Sequence, residues 1–333
     1  MVAVETPQTY GALRICLGTL ALVNLATLWP HLDYLYGDFG VAPAQTCNEG
    51  LARLSLLCHV PARAFLAALM AAALAFTLGL CTRVSGILTV VLHASLWSRS
   101  MVSYAGEQVF ADFLLLLCLA RCGEAYSLDR WWRSGTVWTL VPSWPRYLMV
   151  LQLALCLGVN GWAKTGTTWR DGEALYYTLA LDRYHTFPPW GLFAALGLDG
   201  IRWWTWAAWC IERGFPLVLL GLLIRPWLRG APGWLRRLAD WALGRRVWAP
   251  LAAGMMLGIM ALMRIGWFAA ATAVAVLCLF RGDELGRVFA ALRRAPGPAQ
   301  VVAEAPRPVW SMVAAGVFAC WHGWTITTRA LLP

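Results

Sequence analysis

Apolar runs close to the ~20 residues needed to cross hydrocarbon recur along the whole chain, each closed by Arg, Pro, Gly or a polar cluster. Read as spans, they fall near 10–29, 62–81, 84–98, 108–121, 147–163, 204–224, 247–263, 265–280 and 308–328. These lengths suit helices rather than barrel strands, so the predicted fold is all-α: a polytopic transmembrane helical bundle of about nine spans. The run from Tyr10 to Trp29 carries Arg14, follows Glu5 and lacks a small-x-small cleavage site, and so reads as a retained span rather than a signal peptide.

Composition supports this reading. With 60% hydrophobic and 13% charged residues and a mean hydropathy of +0.60, the 333-residue chain is too apolar for a soluble core. Its net charge of +10 comes from arginines in short connections, not from a basic stripe, so nucleic acid is not the expected partner. With the N-terminus inside, cytoplasmic loops hold sixteen of the 27 basic residues and outer loops nine, with Arg14 and Arg213 inside spans. That bias predicts a cytoplasmic N-terminus and an outer C-terminus; the expected location is a bacterial inner membrane.

Two outer segments, His31–Pro61 and Lys164–Trp203, are long enough to form a lid or vestibule. Within the second, Asp171 and the apolar spacing through Leu179 predict a short capped helix. The inner loop 225–246 mixes Trp, Arg, Pro and Gly and reads as an amphipathic surface element. The organisation predicted is a membrane domain over 1–290, a Pro/Ala-rich linker over 291–307 and an added span within 308–333. The ten cysteines include eight (Cys16, Cys58, Cys81, Cys118, Cys122, Cys156, Cys210 and Cys278) in or beside apolar runs, where thiols usually pack as small hydrophobes. Cys47 and Cys58 are the one pair placed to bridge on the outer side, although spacing alone cannot fix their geometry.

Lys164, the only lysine, stands at the outer end of the fifth span. Where arginine is otherwise used throughout, a retained lysine suggests chemistry arginine cannot perform, namely loss of a proton, which makes Lys164 a candidate base. The competing reading is a lysine snorkelling to headgroups. Glu107 and Gln108 open the fourth span, and Asp112 shares a helical face with Gln108 at i, i+4. An acid at that depth requires a partner, and Arg14 is the expected counter-ion, either in a structural pair or as part of a substrate contact. The five histidines show no metal-ligand spacing, so no metal site is predicted. Most of the 21 tryptophans fit an interfacial belt, with a subset able to stack on a flat ligand such as a quinone.

Four stretches carry a family resemblance: Leu78-Gly79-Leu80-Cys81-Thr82-Arg83-Val84-Ser85, Tyr126-Ser127-Leu128-Asp129, the segment from Lys164 to Tyr177, and Arg264-Ile265-Gly266-Trp267-Phe268. In order and spacing the chain resembles the HTTM-domain membrane proteins, related to the membrane half of vitamin K-dependent γ-carboxylase. The resemblance implies that Lys164 is the base that deprotonates a reduced quinone of menaquinone or vitamin K type, at the outer face. Glu107, Gln108 or Asp112 would orient substrate, and Trp169, Arg170, Asp171, Tyr176, Tyr177 and Arg14 would line the binding region. Two family histidines fall here on Glu107 or Gln108 and on Met256, and the carboxylase's large luminal region is missing. Glutamate carboxylation of the vertebrate kind is therefore not expected. Two readings result: a quinone- or lipid-linked enzyme modifying a peptide or small substrate, and a non-catalytic subunit or maturation factor that holds other membrane protein subunits among membrane lipid. A transporter is disfavoured, because neither paired broken helices nor a repeat is present.

Overall fold

The computed structural model describes residues 4–48, 52–53, 55–99, 105–133, 138–224, 227–293 and 301–302. The predicted span at 308–328 and most of the linker lie outside them. The described chain is mostly helical and separates into two compact units, 1–148 with 280–333, and 149–279.

In the first unit, α1 (Gln8–Leu28) packs on α3 (Ala62–Leu78), α3 on α4 (Thr82–Arg99), and α4 on α5 (Ala105–Leu119). A Cβ at Gly18 would collide with the Thr77 hydroxyl, so a small residue lets α1 and α3 approach backbone to backbone. α2 (Leu32–Tyr36) and α6 (Leu128–Trp132) are short connectors, and α15 (Gly282–Arg293) packs back on α1. Two-residue strands form small ladders: β1 (Val4–Glu5) pairs antiparallel with β3 (Val141–Pro142), and β2 (Trp138–Thr139) pairs parallel with β4 (Val301–Val302). Beside β1 lies a buried polar knot. Arg146 Nε donates to Glu5 at 2.7 Å, and the Tyr10 hydroxyl donates to Glu5 Oε1 at 2.7 Å. Cys47 and Cys58 are joined by a disulfide, their Cα atoms 5.8 Å apart.

α7 (Trp144–Ala163) runs from the first unit into the second, which continues with α8 (Thr167–Arg170), α9 (Ala174–Ala180), α10 (Trp190–Gly214), α11 (Leu217–Ile224), α12 (Gly233–Ala242), α13 (Arg245–Leu262) and α14 (Phe268–Ala275). Against the spans read from sequence, α1, α3, α4, α5, α7 and α13 begin and end within a few residues of expectation. The expected span at 204–224 is preceded by further helix: one stretch begins at Trp190, after Pro188-Pro189, and meets the rest of α10 across a kink at Gly197, whose φ of 64° and ψ of 175° are not helical. The run at 265–280 yields only the eight-residue α14 and a 3-10 turn to Leu279. Among the described residues, two helical stretches, Gln8–Tyr36 and Trp190–Ile224, are long and apolar enough to cross a membrane.

Candidate functional site

The first two resemblance stretches meet in the first unit. Gly79 ends α3 with φ at 72°, a conformation that favours glycine, and a Cβ there would run into the Ser127 side chain. The freed Gly79 carbonyl accepts from the Asp129 amide at 2.9 Å. Asp129 in turn caps α4, its Oδ1 accepting from the Cys81 amide at 2.7 Å and its Oδ2 from the Thr82 amide at 2.7 Å and hydroxyl at 2.6 Å. Partial desolvation acts to raise the Asp129 pKa, but the hydrogen bonds from Thr82 and Cys81 outweigh it and hold the carboxyl below its ordinary value of 3.8.

Arg14 belongs to this junction rather than to Asp112. Its buried guanidinium donates to the carbonyls of Cys122 at 2.8 Å, Ala125 at 3.3 Å and Tyr126. The turn it holds carries non-glycine residues with positive φ at Arg121 and Tyr126, both 52°. Its carbonyls face the buried guanidinium, and that planar multi-donor fork reaches all three. The expected Arg14–Asp112 pairing is thus replaced by carbonyl clamping. Asp112 is fully buried and accepts from Gln108 Nε2 at 2.9 Å, the i, i+4 relation read from the sequence. Glu107 lies in α5, and its side chain is outside the described residues.

Lys164 is in the second unit. α7 ends at Ala163, and the Lys164 ammonium pairs with the Glu212 carboxylate of α10. The same ammonium lies 4.4 Å from the centroid of the Trp169 ring. The Glu212 side chain is 6% exposed and that of Lys164 is 26% exposed, so the carboxylate is enclosed while the amine keeps an open side. Gly161 makes the contact possible: a Cβ there would press on Glu212 and on the Arg213 amide. Its carbonyl accepts from Trp209 Nε1 at 3.1 Å and Arg213 Nε at 2.9 Å, while the Arg213 guanidinium stacks 3.8 Å above the Trp209 ring. A hydrogen-bonded and aromatic collar therefore fixes the end of α7 against α10.

The remaining predicted residues surround two further contacts. Trp206 Nε1 donates to the Arg170 carbonyl at 3.0 Å, while the Arg170 and Asp171 side chains are exposed. Asp171 does not cap a following helix; it closes α8, and Gly172 at φ 78° turns the chain into α9. Tyr176 packs on Phe193 at 4.8 Å and edge-on to Tyr177 at 5.5 Å. Glu212 was not anticipated, although an acid inside the apolar run 204–224 was its visible signal. Among the described residues, no cluster of three or more His, Cys, Asp or Glu is placed to hold a metal.

A family model, the HTTM domain, matches residues 5–195, more than half of the chain. The chain belongs to the HTTM domain family. Together with the two long apolar helices, this membership points to a membrane protein. No curated protein and no solved structure matches it. The HTTM match includes the Arg14 junction, Lys164 and Trp169 and stops short of Glu212, so the lysine's acidic partner stands outside the region that defines the family.

Proposed function

We propose that this HTTM protein is a multi-pass enzyme of the bacterial cytoplasmic membrane, with about nine spans and a cytoplasmic N-terminus, and that Lys164 and Glu212 form its proton-transfer couple at the outer face. The observation that carries this reading is the Lys164 amine held between an enclosed carboxylate and an aromatic face, with one side open. A lysine serves as a base only after giving up its proton, and Glu212 is the adjacent acceptor. The Trp169 ring beside the amine offers a flat apolar surface suited to a quinone head, and so the residues present fit a reduced quinone. Such a quinol, when bound, supplies an acidic hydroxyl and two electrons. Trp169 would orient the ring, Lys164 Nζ would take the hydroxyl proton, and Tyr176, Tyr177 and Phe193 would provide further aromatic surface nearby in sequence. The arginine bias supports the orientation, as does the Cys47–Cys58 bridge, since disulfides form in oxidising compartments.

The test uses purified protein in lipid nanodiscs supplied with reduced menaquinone in air, with the quinone products separated by chromatography. Turnover above the protein-free rate that is abolished in Lys164→Arg and Glu212→Gln supports the reading. Equal turnover in the wild type and Lys164→Arg overturns it. The second reading, a non-catalytic subunit or maturation factor, is favoured by one observation: Lys164, Arg213 and Trp209 all fasten α7 to α10, as a purely mechanical joint would. It predicts co-purifying membrane proteins in mild detergent, and a stable isolated monomer counts against it.

A further inference from the structure

α12 is short, and its side chains divide sharply. Trp234, Leu238 and Trp241, at i, i+4 and i+7, form one stripe and are 63%, 51% and 69% exposed. Leu235, Ala239 and Ala242 are half-buried on the flank that meets the protein. The outward stripe is held in place rather than left to rotate. Trp248 Nε1 of α13 donates to the Ala242 carbonyl at 2.8 Å, and Gly221 of α11 lies so close to Leu243 that a Cβ would press on its carbonyl oxygen. The polar residues flanking the stripe are strongly biased in sign: among the described side chains of 227–246, Asp240 is the single acid against Arg236, Arg237, Arg245 and Arg246. Arg245 is engaged with the Leu279 carbonyl at 3.0 Å, whereas Arg237, at the edge of the aromatic stripe, and Arg246 are exposed. The preceding turn adds Trp227, 87% exposed.

A fixed aromatic face edged by guanidinium groups, in a segment between two apolar helices, matches the chemistry of a bilayer surface bearing phosphate monoanions. We infer that α12 lies along the water–hydrocarbon boundary with Trp234, Leu238 and Trp241 inserted, and that Arg237 and Arg246 bind the phosphates of anionic phospholipids. This rests on the protein being membrane-integral, not on the chemistry proposed for Lys164. Long arginine side chains at the rim reach the phosphate layer while their stems cover apolar surface.

Hydrogen–deuterium exchange of the full chain in nanodiscs tests the assignment. Amides of 233–242 are expected to exchange about tenfold more slowly in discs containing phosphatidylglycerol than in pure phosphatidylcholine. The Arg237→Gln/Arg246→Gln variant loses that lipid dependence, while Trp234→Ala/Trp241→Ala loses protection in both lipids. Protection of α13 (Arg245–Leu262) in the same samples reports folding and membrane integration separately. Equal exchange in the two lipids with α13 protected overturns the proposal. So does protection that follows protein concentration per disc rather than anionic lipid content, because a second copy would then be what covers the stripe.

Discussion

Arg14 and Lys164 are both cations enclosed at helix level, yet their surroundings differ in kind. Arg14 is fully buried, faces backbone carbonyls and braces a turn containing left-handed Arg121 and Tyr126. Lys164 faces one carboxylate and one aromatic ring and keeps about a quarter of its side chain open, at 26% exposed. A cation whose hydrogen bonds all go to main-chain acceptors holds shape. One that shares a proton-accepting partner and retains an open side can also exchange with something that arrives. The family region includes both, so shared membership alone does not tell scaffold from site.

The contrast is broken most severely at Arg14. Arg14→Met takes the guanidinium away from three inward carbonyls and should cost about 3 kcal/mol or more, seen as a large fall in the thermal midpoint in detergent. Arg14→Lys should recover little, because an ammonium cannot span the three acceptors. Gly79→Val comes next: a β-branched residue at φ 72° that also meets Ser127 should cost about 2 kcal/mol.

Asp129→Asn should cost about 1 kcal/mol by weakening the cap on α4. It also carries a pH signature. Because the folded-state pKa is lowered, the contribution of Asp129 is present above its unfolded value near 3.8 and is lost as pH falls through the lower folded value. Denaturation midpoints should therefore drop for the wild type below about pH 4, with the Asn variant showing less of that drop. A comparison at pH 7 and pH 3 checks this. The smallest stability change is expected at Lys164→Arg, within about 1 kcal/mol, since the pair is open on one side. Quinol turnover should nevertheless be lost. If Lys164→Arg instead destabilised the protein as much as Arg14→Met, the two cations would be doing the same structural job.

Much of the helical frame was legible from apolar run length, and Gln108 with Asp112 from spacing alone. The partners of Arg14 were not legible, because main-chain carbonyls have no side-chain identity and their direction depends on a turn held by two left-handed residues. Glu212 was half-legible: an acid in an apolar run signals an unmet requirement but does not name Lys164, 48 positions away, as the group that meets it. The helix ahead of residue 204 was obscured because Trp203-Trp204 and Arg202 resemble an interfacial boundary, while helix in fact reaches back to the kink at Gly197 and, beyond it, to Trp190. The shortness of α14 was hidden because hydropathy does not register the change from α-helix to 3-10 geometry after Ala275.

The Cys47–Cys58 bridge also bears on how the protein is made. Under the proposed topology, the inserted chain is unfinished until an oxidant at the outer face has removed two hydrogens from those thiols. Production in a host lacking such thiol oxidation should yield inserted but incompletely matured molecules, whose trapped free cysteines reveal which side of the membrane the segment reached.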